Sequence, residues 1–322
     1  MIVAEGFNDA NSKFNVNRLH KLAVRPPQSL GNFAELQRFN QLQQQKPIQC
    51  MVAAGPFTTK SDLLYDGLQE LMSRVRQENP HVLILMGPFV DGMNEDVSSG
   101  NISFRQSSGQ IEFLEFEDLF SKVMEYIKSE IDQNRVKTKV VIVPSAREIH
   151  HIHPLPQPAY EASLFPAGFE PVLIGNPQMF RINDINIGLL NADVVKDLCA
   201  STHNRAIQGK IEECVKSVLQ QRTFYPLYPG NQATPIEWEQ YQKMMFPAGV
   251  TPDILITPGQ LKLFAKQIEG VICINPGNIV KGEAAGSFAN ITIDPLLMPS
   301  MDNGEPINKM APERIRVDII NV

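Results

Sequence analysis

The sequence predicts a layered α/β fold: a largely parallel central sheet flanked by helices. Three observations carry that prediction. Continuous apolar runs stopped by Gly or Pro recur along the chain, segments with helical spacing lie between them, and a smaller set of stretches looks antiparallel.

The runs Ile48–Ala54, Val82–Met86, 140–143, Ile254–Ile256 and 271–274 read as strands buried on both faces. A strand with one wet face would alternate apolar and polar residues instead. Segments 62–77, 116–132, 207–221 and 259–267 carry apolar residues at helical spacing and read as helices. Stretches 179–182 and 185–190 flank Asn183-Asp184, a pair suited to a tight hairpin turn because both residues tolerate positive φ better than most. Ser287–Ile293 and 315–322 complete the antiparallel set. The polar stretches 95–109 and 295–312 read as mobile loops.

Residues 1–27 are short and mixed, cannot bury a core alone and read as a piece attached to something larger. Residues 28–47, with Gln41 and Gln43-Gln44-Gln45 before Pro47, read as a polar, partly helical linker. The whole chain of 322 residues has room for one large α/β domain or two ordinary ones. Hydrophobic residues at 43% and charged residues at 20% place it among globular proteins.

A net charge of -6 gives no global basic surface to neutralise phosphates, so a protein partner is expected rather than a free-standing nucleic-acid-binding role. Cys50, Cys199, Cys214 and Cys273 are widely separated and form no C-x-x-C pair, which argues for reduced thiols and against a zinc ribbon. No apolar run approaches the ~20 residues that cross a bilayer. Glu5, Asn8 and Asp9 stand where a signal peptide needs a hydrophobic stretch. No Lys/Arg block resembles a nuclear import signal.

Three apolar runs end in tight turns: Ala54-Gly55-Pro56-Phe57-Thr58-Thr59, Gly87-Pro88-Phe89-Val90-Asp91-Gly92 and Pro144-Ser145-Ala146-Arg147-Glu148. In open α/β sheets ligands bind outside the carboxyl ends of the strands, so these turns locate the site. Their order, followed by His150-His151 and a late Asn275-Pro276-Gly277, resembles the calcineurin-like metallophosphoesterase superfamily. That resemblance implies a layered metallophosphoesterase-like fold, with metal ligands in the order D-x-H, G-D-x-x-D, G-N-H-D/E, a lone His and G-H-x-H. The chain departs from the pattern at nearly every ligand. Gly55 and Phe57 replace the first Asp and His, Pro88 replaces the bridging Asp while Asp91 survives, and Ala146 and Arg147 replace the Asn and His. The lone His would fall near Gln221-Arg222, and 257–261 contains no histidine.

Two cations held ~3.5–4 Å apart need several anionic or imidazole ligands, and Arg147 brings a permanent positive charge instead. No metal pair, no cofactor and no hydrolysis are expected. His150, His151 and His153 form the one imidazole cluster, but neighbours on an extended segment point to opposite sides and no further ligand accompanies them, so loop hydrogen bonding is their expected role. Asp91 with Glu148 reads less as an acid/base pair than Glu148 with Arg147 reads as a structural ion pair, and Lys281 and Arg314 read as surface charges.

This degenerate pattern is similar to the B subunits of replicative DNA polymerases, whose phosphoesterase domain is inactive, and within them most to those of polymerase α-primase. The resemblance rests on 51–59, 84–91 and 143–151 together with Gln221-Arg222-Thr223-Phe224-Tyr225-Pro226-Leu227-Tyr228-Pro229, 251–256 and 273–277, and spans about 48–322. It implies an inactive phosphoesterase domain over 48–322 and, from Val3-Ala4-Glu5-Gly6 and Lys21-Leu22, the end of an OB domain plus linker over 1–47, with most of that OB domain outside this chain. It implies a nuclear accessory subunit that grips the C-terminal zinc-binding domain of the polymerase α catalytic subunit, reaches primase through the complex, and touches DNA only indirectly or weakly. Phe224, Tyr225, Leu227 and Tyr228 are the candidate docking residues. Two other readings are a divergent metallophosphoesterase using Asp91, Glu148 and His150 or His151, and a B subunit of polymerase δ or ε.

Overall fold

Strands that are apolar on both faces must be covered on both faces, and here two sheets cover each other. The structure, a computed structural model, describes every residue except 1, 2, 21, 22, 28, 29, 106–110, 136, 203–208 and 298–306. The first sheet runs Ile315–Asn321, Ser287–Ile293, Ile48–Ala54, Val82–Met86, Lys139–Val143 and Val172–Leu173 in spatial order. Its last four strands are mutually parallel, while Ser287–Ile293 is antiparallel to both its neighbours. The second sheet runs Gln178–Ile182, Ile185–Leu189, Ile254–Ile256, Val271–Asn275 and Phe264–Ile268, with a parallel centre and antiparallel edges.

Alternation sorts each strand's side chains between two cores. Cys50, Val52 and Ala54 face the second sheet and meet Ile187, Ile254 and Ile274 in a dry layer between the sheets. Met51 and Ala53, one residue out of phase, face outward onto the helices Asp66–Glu78 and Phe116–Ile131. The first of these buries Leu68, Leu71, Met72 and Val75, an i, i+3, i+4, i+7 stripe that fits one helix face to a sheet. Helices Val194–Ser201 and Lys210–Gln221 cover the outer face of the second sheet, where Leu255, Val271 and Cys273 point. The order of layers is helix, sheet, sheet, helix, which is the layered α/β architecture expected.

One expected helix is a strand. Phe264–Ile268 lies antiparallel to Val271–Asn275 through the turn at Glu269 and Gly270, both at positive φ of 50° and 81°. Phe264 and Ile268, four residues apart, share a face in either element, and the turn decides between them. The hairpin Gln178–Ile182 with Ile185–Leu189 forms as expected, with Asn183 taking positive φ. The linker holds helix Phe33–Gln43, capped by Asn32, whose side chain accepts from the Ala34 amide. Stretch 95–109 is not all loop: Asn94 caps a short helix, Glu95–Ser99, and Ser103–Arg105 pairs with Ile111–Phe113. Within 295–312, Ile307–Asn308 pairs with Leu30–Gly31 and Ala311–Arg314 is helical. Of these two stretches, 106–109 and 298–306 lie outside the described residues, as does the start expected at 207 for helix Lys210–Gln221. Strands Val3–Asn8 and Phe14–His20 pair with each other. Among the described residues no helix is long and apolar enough to cross a membrane.

Arg314 is not the surface charge expected. It is 8% exposed and donates to both carboxylate oxygens of Asp184 at 2.9 and 3.2 Å and to the carbonyls of Asp294 and Lys309. It thereby clamps the hairpin turn of the second sheet to the strand that edges the first. Lys281 is exposed, as expected, and reaches the Gln260 carbonyl. Because removing one member of a buried pair strands the other charge, Arg314→Ala should cost about 3–5 kcal/mol. Urea unfolding monitored by far-UV circular dichroism measures it, and a loss below about 1 kcal/mol would show that the clamp does not bear on stability.

Candidate functional site

The carboxyl ends of the parallel strands of both sheets converge on one cavity. Gly55, Pro88 and Ser145-Ala146-Arg147 come from the first sheet, Asn191-Ala192-Asp193 and Pro258-Gly259-Gln260 from the second, and the volume is about 210 Å³. The expected positions Gly55, Pro88, Ala146 and Arg147 are thus brought together. Gly55 must be glycine, since a Cβ there would lie 2.4 Å from the Pro88 carbonyl oxygen. Phe57 leaves the cavity: it is buried in the outer core and stacks on Phe89 at 5.2 Å, with Phe89 edge-on to Phe120 at 5.8 Å.

Asp91 and Arg147 settle the electrostatics of the first-sheet wall. Asp91 is 4% exposed, and Arg147 grips it with two bonds, Nε to Oδ1 at 3.1 Å and Nη2 to Oδ2. Asp91 Oδ1 also accepts from the Met93 amide at 3.1 Å. The ion pair expected between Arg147 and Glu148 does not form. The two turns pair as an antiparallel bridge, Asp91 opposite Glu148, and consecutive residues on such a segment point opposite ways, sending Arg147 to the cavity side and Glu148 inward.

Glu148 is fully buried and accepts from the amides of Phe89 at 2.8 Å and Val90 at 2.6 Å and from the Tyr160 hydroxyl at 2.7 Å. Its work is to hold the second turn in shape. Burial pushes its carboxyl up to about 7, partly opposed by those three hydrogen bonds. His150 Nδ1 lies 3.7 Å from Glu148 Oε1, its ring packs against Phe120 at 4.6 Å, and neither ring nitrogen has a hydrogen-bond partner among the described residues. Burial holds His150 down at about 4. Loop hydrogen bonding is found for His151, which donates to the Pro158 carbonyl, and His153, which donates to that of Ala146, each at 3.0 Å. His150 is instead part of the aromatic core.

The second-sheet wall was invisible in the sequence. Asn191 donates from its side chain to the Gly87 and Pro144 carbonyls, both at 2.9 Å, tying the two sheets at their strand ends. Asp193 caps helix Val194–Ser201 and accepts from the Gln260 amide at 2.7 Å. It sits where a Cβ on Gly259 would be, only 2.3 Å away. Asp197 is buried and fully engaged, accepting from Tyr225, Thr234 and Asn231 at 2.7, 3.0 and 2.6 Å. Isolated Asn and Asp residues carry no spacing signal, so only the fold gathers them.

Donor chemistry tests the fit of a two-metal centre. Of Gly55, Phe57, Pro88, Asp91, Ala146 and Arg147, only Asp91 has a ligating group, and a guanidinium already neutralises it. Among the described residues no three His, Cys, Asp or Glu side chains come together as a metal site. The residues present do not fit a pair of cations.

The candidate docking residues divide. Phe224 and Tyr225 are buried, Phe224 against Phe246 at 4.8 Å and Tyr225 through Asp197, so they are core and not surface. Leu227 is half-buried, and Tyr228 is 80% exposed beside Trp238 at 4.8 Å.

The profile of the DNA polymerase alpha/epsilon B-subunit family matches residues 50–266. The B subunit of DNA polymerase alpha from Rattus norvegicus is 29% identical over 304 residues, covering 90% of this chain and 46% of the relative. That of Schizosaccharomyces pombe is 31% identical over 268 residues, covering 80% and 44%, and that of Saccharomyces cerevisiae 27% over 351, covering 95% and 47%. The chain spans less than half the length of these relatives. Similar solved structures include an archaeal phosphodiesterase, at 10% identity and TM-score 0.38 over 85% of this chain and 100% of that one. Another is Vps29 of Cryptosporidium parvum, at 13% and 0.33 over 86% and 99%.

Two outcomes follow from the buried charges. Arg147→Ala should destabilise by about 2–4 kcal/mol by stranding Asp91, and adding Asp91→Asn should recover part of that, a double-mutant cycle read by denaturant unfolding. Strict additivity would dissolve the pair as an energetic unit. The Glu148 and His150 shifts act in opposite directions on stability. In Glu148→Gln the unfolded chain binds a His150 proton that the native state refuses between its ordinary 6.5 and about 4, so stability should rise with pH across that window. In His150→Phe the native state keeps a Glu148 proton that the unfolded chain releases between its ordinary 4.5 and about 7, so stability should fall as pH rises. Each slope reaches at most about 1.4 kcal/mol per pH unit, and matched slopes in the two variants would refute the assignment.

Proposed function

The chain belongs to the family of DNA polymerase alpha/epsilon B subunits, and on that premise we propose that it is a non-catalytic accessory member of a DNA polymerase α-primase assembly. It acts at the initiation of replication, in the nucleus. It grips the C-terminal zinc-binding domain of the catalytic subunit and reaches primase through the complex. Residues 48–322 form the inactive phosphoesterase domain, and 1–47 are the end of an OB domain with its linker. In support of the latter, the hairpin of Val3–Asn8 and Phe14–His20 pairs with no strand of either large sheet among the described residues.

One observation carries the non-catalytic reading: the Arg147 guanidinium bonds Asp91 on both carboxylate oxygens. A two-metal hydrolase needs that carboxylate for a cation, and a cation beside a fixed guanidinium is repelled at short range. The net charge of -6 supports a protein partner and only indirect contact with DNA. Of the docking candidates, Tyr228 and Leu227 remain accessible, and an exposed aromatic beside a half-buried aliphatic is the composition of an interface anchor.

Co-expression with the C-terminal domain of a polymerase α catalytic subunit should yield a stoichiometric complex on size exclusion. Tyr228→Ala should weaken it by about tenfold or more. The same purified protein should show no phosphodiesterase turnover in manganese. Failure to form the complex would overturn this reading, and turnover abolished by Asp91→Asn would replace it with the enzymatic one.

A further inference from the structure

We propose that Cys199 and Cys214 form a dithiol site that hydroperoxides close into an intramolecular disulfide. The two sulfurs are 3.5 Å apart, Cys199 donating to Cys214. Cys199 sits in the last turn of helix Val194–Ser201 and Cys214 in helix Lys210–Gln221. Both helices pack on the same face of the second sheet, so the thiols are presented to each other by two rigid elements rather than by loops. Thr202 helps hold the arrangement: its hydroxyl donates to the Leu198 carbonyl at 2.7 Å and lies 3.8 Å from the Cys214 sulfur. Cys199 is partly exposed while Cys214 is buried, which makes Cys199 the sulfur that meets an oxidant. Cys50 and Cys273 are buried, and among the described residues neither forms a sulfur–sulfur contact.

The chemistry balances with a hydroperoxide as the oxidant. The Cys199 sulfur attacks the terminal peroxide oxygen, the O–O bond breaks, and the leaving oxygen departs as water or alcohol, giving a sulfenic acid. The Cys214 sulfur then attacks the Cys199 sulfur and expels hydroxide, which leaves as water with the Cys214 proton. Two thiols are oxidised and one peroxide is reduced. Burial pushes the Cys199 thiol up, so little thiolate is present at neutral pH and the oxidation is slow. The product staples the end of the helix whose first turns furnish Asp193, Lys196 and Asp197 to the strand-end cavity.

The test treats the full chain with hydrogen peroxide, unfolds it in an alkylating agent and weighs it. The expected product has lost two of its four alkylatable thiols with no added oxygen, and peptide mapping links the Cys199 and Cys214 peptides. Its Tm should rise by about 5 °C, since the cross-link closes a short loop, and reductant should reverse the rise. Cys199→Ser and Cys214→Ser should each abolish both changes. Four surviving thiols, oxygen added at Cys199, a dimer linked through Cys199, or a Tm that falls would each overturn the proposal.

Discussion

The dry layer between the two sheets is the constraint on which the rest of the molecule depends. Cys50, Val52 and Ala54 can be apolar only because Ile187, Ile254 and Ile274 stand opposite them, and their out-of-phase neighbours Met51 and Ala53 then require a helix on the far side. Two sheets packed this way bring the carboxyl ends of their parallel strands to one rim, where the turns that follow can share a cavity. The strand-end cavity is therefore a by-product of burying these strands.

What occupies that rim is a different electrostatic solution. Two cations balance a ring of carboxylates and polarise a water, whereas one guanidinium balances one carboxylate and activates nothing. Arg147 does for Asp91 what a cation does for a ligand, and Glu148 commits its acceptor capacity to the amides of Phe89 and Val90. Asn191 crosses to Gly87 and Pro144 and joins the sheets. Asp91, Arg147, Glu148 and Asn191 are thus committed to holding the strand ends and turns in place.

The parts of this fold legible in the sequence were those set by long apolar runs, because burial on two faces leaves a mark that no turn can disguise. Strands Ile48–Ala54 and Val82–Met86 coincide with their apolar runs to the residue. Phe264–Ile268 is a strand where the sequence predicts helix because five residues with apolar ends satisfy both periods, and only the positive φ at Glu269 and Gly270 chooses. Arg314 and Phe224 are buried where the sequence predicts surface, for a shared reason: exposure depends on what folds over a residue from elsewhere in the chain. Asp184 is 130 residues from Arg314, a partner that no local pattern announces. The first-sheet wall is legible because Gly55, Pro88, Ala146 and Arg147 each follow an apolar run, while the Asp193 and Asp197 wall, which has no motif, is not.

The first sheet ends on one side in Ile315–Asn321, whose outer backbone groups have no strand to bond among the described residues. Rich in isoleucine and seven residues long, it has the makings of a template for unwanted association with its own kind. Arg316 and Asp318 interrupt it, paired at 2.9 Å and turned to water, so an incoming strand would have to strip a solvated ion pair before its first bond could form. Those two charged side chains are what this edge sets against pairing with another strand.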